Sequence, residues 1–238
     1  MIEMNIRRFE KLEYQASEAM NTLCANLSIA GGDIRKILVT SCHPREGKSF
    51  VSINLMRSMA GLGLNVILID ADIRASTLRH TYDIEIKTDQ EKYLGLSGYL
   101  SGLCNSDAII GTTNIPGADM ILPGQIMQNS FPLFNSPRLR TLLDELASRY
   151  DVVLIDTPPV GTIIDAVKIA VHCNGALFVV ESGGVTVSEI KSAAAQIEKT
   201  GCPIMGYVLN KAEATDYKKK YYSYYASGSK GEHKTSNQ

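Results

Sequence analysis

The chain has 238 residues, 45% hydrophobic and 21% charged, which is enough apolar material for one large α/β domain and excludes wholesale disorder. Basic and acidic residues number 24 and 25, and the formal net charge of -1 gives no global reason to expect a nucleic-acid partner. The five cysteines (Cys24, Cys42, Cys104, Cys173, Cys202) are odd in number, scattered and never spaced CxxC, so a disulfide framework and a cysteine-rich zinc site are both excluded as readings and a reducing compartment is expected.

In chain order, the opening MIEMNIRRFEKLEY is too polar for a signal peptide, and no window approaches the roughly 20 apolar residues of a membrane helix. Helical spacing then runs through Phe9, Leu12, Ala16, Ala19, Met20, Leu23 and Leu27 and stops at Gly31-Gly32. Ile37-Leu38-Val39-Thr40 predicts a buried strand, followed by a loop from Ser41 to Gly47 and a helix with Val51, Leu55 and Met59 on one side. Further strands are predicted at Val66–Ile69, Met120–Leu122, Val152–Ile155, Ala176–Val180 and Met205–Leu209. Helical patterns lie between them, at Leu139, Leu142, Leu143, Leu146 and at Ile190, Ala193, Ala194, Ile197. Continuous apolar strands alternating with helices predict a doubly wound, mostly parallel sheet with both faces covered. From about Thr215 the composition turns to Lys, Tyr, Ser and Gly, so the expectation is one domain over 1–214, N-terminal helical segment included, and a flexible Tyr-rich tail over 215–238.

Three strand ends carry the chemistry. Gly47-Lys48-Ser49 matches the end of a P-loop (Walker A) between a strand and a helix, although Cys42 stands where that pattern has its first glycine. Such a loop needs a glycine where backbone N–H groups crowd a phosphate, a lysine for the β/γ-phosphates and a hydroxyl for Mg²⁺. The second predicted strand ends in Asp70-Ala71-Asp72-Ile73-Arg74 and a later one in Asp156-Thr157-Pro158-Pro159. In a parallel sheet these ends share the edge that holds the P-loop, so the carboxylates converge on a bound triphosphate, as metal-holding and base groups.

This combination resembles the deviant-Walker ATPases, the group that includes MinD/ParA and the bacterial tyrosine kinases. The kinases are favoured by Gly95-Leu96-Ser97-Gly98-Tyr99-Leu100-Ser101-Gly102, by Asn135-Ser136-Pro137-Arg138-Leu139-Arg140, and by the terminal cluster Tyr217, Tyr221, Tyr222, Tyr224 and Tyr225. The resemblance runs from about Ser17 to Tyr225. It implies a P-loop NTPase fold, ATP and Mg²⁺ as cofactors, and autophosphorylation of the tail tyrosines, and the flexible tail and the acids at the sheet edge lead us to expect that transfer in trans. It further implies control of capsular or exopolysaccharide synthesis and export. Implied partners are the cytoplasmic tail of a membrane adaptor, other protein tyrosine substrates and a cognate phosphotyrosine phosphatase, with no nucleic acid. The implied location is the cytoplasm, with recruitment to the inner face of the membrane.

By the same resemblance Lys48 binds the β/γ-phosphates, with Glu46, Gly47, Ser49 and Phe50 completing the cofactor-binding loop. Ser49, Asp72 and Asp156 hold the metal or its waters, Asp70 is the base, and Lys48 and Asp72 join it as catalytic residues, with Arg74 as a supporting group. Asn210 either contacts adenine or merely caps its strand, and Lys218-Lys219-Lys220 either docks on acidic groups or anionic lipid or is simply solvated. The departures are Arg45 where the family usually has glycine, Phe50 where a hydroxyl residue is common, and His43 at the place of the MinD/ParA signature lysine. Arg45 either adds a phosphate contact or narrows the site. The family's oligomerisation helix carries arginines where Asn21 and Cys24 stand here, so a stable ring is not expected. Two other readings remain: a MinD/ParA-like switch without kinase activity, and a low-turnover nucleotide-binding regulator.

Overall fold

The computed structural model describes residues 2–29, 34–87 and 93–212. The boundary at 214/215, Gly31-Gly32 and the tail tyrosines lie outside the described residues. In chain order the elements are β1 (Ile2–Ile6), α1 (Tyr14–Ile29), β2 (Lys36–Ser41), α2 (Lys48–Gly61), β3 (Val66–Asp70), α3 (Leu78–Thr81), β4 (Ile84–Ile86), α4 (Gly95–Leu100), β5 (Gly111–Thr112) and β6 (Ala118–Ile121). There follow α5 (Phe131–Phe134), α6 (Pro137–Arg149), β7 (Val152–Asp156), α7 (Asp165–Ala170), β8 (Gly175–Glu181), α8 (Val187–Glu198) and β9 (Ile204–Asn210).

The strands form one nine-stranded sheet in the order β4-β1-β5-β6-β3-β7-β2-β8-β9. From β6 through β9 every pairing is parallel, while β1–β4 and β5–β6 are antiparallel. Side chains alternate across the central strands because a strand's period is two. Leu38, Ile67, Ile69, Val153, Ile155 and Phe178 enter one core with the leucines of α6 and Ala193, Ala194 and Ile197 of α8. Ile37, Val39, Val66, Leu68, Leu154, Leu177 and Val179 enter the other, with Val51, Leu55 and Met59 of α2 and Met20 and Leu27 of α1. Two dry faces explain why these strands read as unbroken apolar runs. Among the described residues no helix is long and apolar enough to cross a membrane.

Local chemistry sets the helix ends. Ser136 accepts from the Arg138 N–H ahead of Pro137, and Thr186 and Glu189 form a reciprocal capping box on α8. Arg138 then reaches α4: Nε donates to the Tyr99 carbonyl at 2.7 Å, Nη2 to the Cys104 carbonyl at 3.0 Å, and the guanidinium lies 4.5 Å from the Tyr99 ring centroid. A guanidinium at the carbonyl end of a helix satisfies acceptors the helix leaves open. The two segments that carry the kinase resemblance before the Asp156 strand are therefore clamped to each other.

Three short strands, β1, β4 and β5, were absent from the sequence reading, and α1 begins at Tyr14 rather than near Phe9. In β1 only Met4 and Ile6 are buried, and the register pairs Met4 with Ile86 and Ile6 with Ile84, 78 or more residues away. Asn114 closes the end of this strand, accepting from Ile6 N at 2.9 Å and donating to Ile6 O at 3.2 Å. Phe9 and Leu12, counted as helix positions, pack on the core from the irregular segment before α1. Cys24 is buried in the core, while Asn21 on the outer face shares a hydrogen bond with Glu18 at 3.3 Å.

Candidate active site at the carboxyl edge of the sheet

The loop joining β2 to α2 depends on backbone shapes that ordinary residues resist. Gly47 has φ 94, and a Cβ there would lie 1.9 Å from Asn210 Nδ2. Both facts require glycine. Arg45 also adopts a left-handed conformation, φ 67, which glycine would take without the cost that a Cβ imposes. The loop is braced from inside by Glu46, which is buried. Its carboxylate accepts from His43 N at 2.6 Å and Glu181 N at 3.2 Å, and its carbonyl accepts from Asn210 Nδ2 at 2.8 Å. His43 is held at 3.1 Å by Glu189, whose own carboxyl is drawn down to about 2, chiefly by the Thr186 hydroxyl and N–H.

Lys48 and Ser49 follow at the start of α2, a helix of 14 residues whose first N–H groups, that of Phe50 included, face the loop as a positive helix end. The Phe50 side chain is turned to the core, so its contribution to a bound phosphate would be its backbone N–H.

Asp70 and Asp156 face each other across the β3–β7 ladder, in register. Both are buried. Burial, and next the Asp156 charge, push the Asp70 carboxyl well above the ordinary range, against a hydrogen bond from the Ser76 hydroxyl. Burial also pushes Asp156 up to about 6, although the Ser49 hydroxyl and the Lys48 ammonium pull it down and the Asp72 charge adds to the rise. Asp156 Oδ1 is buried with no hydrogen-bond partner. Asp72 is half-buried and caps its own loop, accepting from Ala75 N at 3.0 Å.

The edge thus holds a phosphate loop, a buried cation and crowded carboxylates, one with an idle oxygen. A family model described as the CobQ/CobB/MinD/ParA nucleotide binding domain matches residues 37–233. The chain is 32% identical over 218 residues, 91% of its length and 94% of the relative's, to the tyrosine-protein kinase CpsD of Streptococcus pneumoniae. It belongs to the bacterial tyrosine-protein kinase family. Among solved structures, the chimerical protein CapA2B2 superposes with a TM-score of 0.77 at 29% identity, covering 89% of this chain and 94% of that one. The septum site-determining protein MinD of Pyrococcus horikoshii, solved with Mg-ADP, has a TM-score of 0.60 at 20% identity over 75% of this chain and 72% of that one, and shows the shared fold.

In this kinase the donor set fits a hard divalent cation. An unpartnered buried carboxylate oxygen, a neighbouring hydroxyl and mutual repulsion among acids are what such an ion relieves. Among the described residues no group of three or more His, Cys, Asp or Glu could by itself hold a metal. Mg²⁺ commonly uses one or two protein ligands and completes its shell with waters and phosphate oxygens. Ser76 escaped sequence reasoning; it lies six residues after Asp70, and no periodicity marks it. Glu46 was read as a nucleotide contact; here its side chain faces into the protein as the brace of the loop. Asn210 sits at the loop, with its amide on Glu46. A groove of about 1130 Å³, lined among others by Ser76, Arg79, Tyr93, Ser97, Gly124 and Met127, opens beside the Asp70 carboxylate's hydroxyl partner.

Proposed function

We propose that this kinase uses Mg-ATP to phosphorylate its own C-terminal tyrosines, Tyr217, Tyr221, Tyr222, Tyr224 and Tyr225, and thereby controls capsular or exopolysaccharide synthesis together with a membrane adaptor. The observation that carries the reading is the in-register pair Asp70 and Asp156 beside Lys48 and Ser49, in a chain of the tyrosine-kinase family. Lys48 binds the β/γ-phosphates, and the N–H groups opening α2 receive phosphate oxygens. Ser49, Asp156 and Asp72 hold Mg²⁺, directly or through water. When bound, the ion supplies charge neutralisation at the transferring phosphoryl group.

Asp70 takes the proton from the attacking tyrosine hydroxyl as its oxygen bonds to the γ-phosphorus and the bond to the ADP oxygen breaks. A carboxylate raised by burial is a better base than an exposed one. The tail would act in trans, an adaptor's cytoplasmic tail would activate the kinase at the inner membrane face, and a phosphatase would reverse the modification.

Intact-mass spectrometry after incubation with Mg-ATP tests this, with and without the adaptor's cytoplasmic tail and with Lys48→Met as control. The expected result is several phosphates mapping to Tyr217–Tyr225 and none on the variant. ATP binding without transfer under both conditions would instead favour a low-turnover regulator, a reading to which the left-handed Arg45 in the loop lends support.

A further inference from the structure

Asp165 opens α7 and is completely buried, as is Ser130, whose hydroxyl donates to Asp165 Oδ2. Asp165 Oδ1 has no hydrogen-bond partner. The helix behind it buries Ala166, Ile169 and Ala170, and its one cation, Lys168, is engaged elsewhere, at 3.4 Å from Asn135 Oδ1 and 5.0 Å from the Phe131 ring centroid. A buried carboxylate with an idle oxygen is costly and calls for a partner.

The surroundings point to that partner. Burial raises the Asp165 carboxyl, the Ser130 hydroxyl and the Arg74 charge lower it, and the Asp72 charge raises it. Arg74 and Asp72 both belong to the loop that follows β3. A short segment links this loop to Asp165: Met127 N donates to Ile73 O at 2.9 Å, and three residues later Ser130 grips the carboxylate. Arg74 is exposed and makes no hydrogen bond or ion pair within the described residues. A guanidinium is the cation suited to a carboxylate in a confined site, because its planar fork meets an oxygen without losing charge.

We propose that Asp165 is a positioning residue for phosphoryl transfer: its idle oxygen receives the Arg74 guanidinium when nucleotide fills the site, fixing the loop that carries Asp72. The pairing neutralises one of the acids repelling Asp72 and ties the Asp70–Arg74 strand end to α7. This rests on the kinase reading, because its first readout is phosphate transfer.

The test is a double-mutant cycle on tail phosphorylation at saturating Mg-ATP. Asp165→Asn and Arg74→Gln each lower kcat about tenfold with KM for ATP changed by less than about twofold, and the double variant is within about twofold of either single one. Losses that multiply to about a hundredfold, or an Asp165→Asn kcat within about twofold of the natural chain, overturn the pairing. Arg74 is exposed, so its variant should fold even if Asp165→Asn does not, and hydrogen exchange supplies an independent measurement. Mg-ADP slows exchange around 163–168 in the natural chain and not in Arg74→Gln. Equal protection in both overturns the inference whether or not phosphate is transferred. Absence of transfer by the natural chain, with the exchange difference present, removes the kinase reading and leaves the pairing standing.

Discussion

Replacing Arg45 by glycine isolates the cost of a left-handed arginine in the phosphate loop. Arg45 holds φ 67 with an exposed side chain that makes no hydrogen bond or ion pair among the described residues. A left-handed conformation costs an ordinary L-residue about 1–2 kcal/mol. Glycine escapes that cost but loses about 0.4–1 kcal/mol through the greater freedom of its unfolded chain. The net expectation for Arg45→Gly is a gain of about 0.5–1 kcal/mol, or a rise of about 1–4 °C in the midpoint of a domain this size. Thermal unfolding of the nucleotide-free protein measures it, with Arg45→Ala as control. Alanine keeps the Cβ that collides with the backbone and should give no gain. Equal gains from both variants would locate the effect in the arginine side chain, and a lower midpoint for Arg45→Gly would refute the backbone-strain account altogether.

Gly47→Ala places a Cβ 1.9 Å from Asn210 Nδ2 at φ 94, so the Asn210 amide is driven off the Glu46 carbonyl and the loop is strained; nucleotide-induced thermal stabilisation should fall while the far-ultraviolet spectrum is kept. The carboxyl of Asp156 is raised to about 6 from 3.8, so the folded, nucleotide-free state binds a proton more readily than the unfolded chain. Its destabilising contribution is therefore largest above pH 6 and disappears as pH falls toward 4. Asp156→Asn should raise nucleotide-free stability at pH 7.5, by about 1–3 kcal/mol in a denaturant titration, and lose that advantage near pH 4 while abolishing Mg-dependent nucleotide binding. Protonation of the same group should weaken Mg-ADP binding in the natural chain below about pH 6, seen as a loss of affinity in calorimetry. Ser76→Ala removes the donor to Asp70 and should move the acidic limb of the kcat–pH profile upward, since the base then ionises less readily.

Central strands and amphipathic helices were legible because each carries its own signal. Ile37–Thr40, Val66–Ile69 and Val152–Ile155 are apolar without interruption, and Leu139, Leu142, Leu143, Leu146 and Ile190, Ala193, Ala194, Ile197 keep helical spacing, while the caps Ser136 and Thr186 with Glu189 emerged only in the structure. The edge of the sheet was not legible. β5 has two residues and β4 three, too short for periodicity, and β1 alternates over five residues whose partner lies about eighty residues downstream. Such strands exist because a neighbour supplies the ladder, and no local preference announces them.

For the site, the placement of Gly47-Lys48-Ser49, Asp70-Ala71-Asp72 and Asp156 after successive buried strands was enough to bring them to one edge, because β2, β3 and β7 run parallel and so end on the same side. What the sequence withheld is how those groups are held and charged. Glu46 reads as a cofactor-binding residue of the loop, yet its carboxylate is buried and accepts from His43 N and Glu181 N. Asp70 and Asp156 read as two strand-end acids, yet only their register across β3 and β7 makes them a repelling pair. Residue types and their order along the chain determine the fold class and the presence of a nucleotide edge, because hydrophobic period and strand-end chemistry are local. Protonation, loop bracing and the idle oxygen of Asp165 were decided by tertiary structure alone, because burial and the distance between charges are properties of packing.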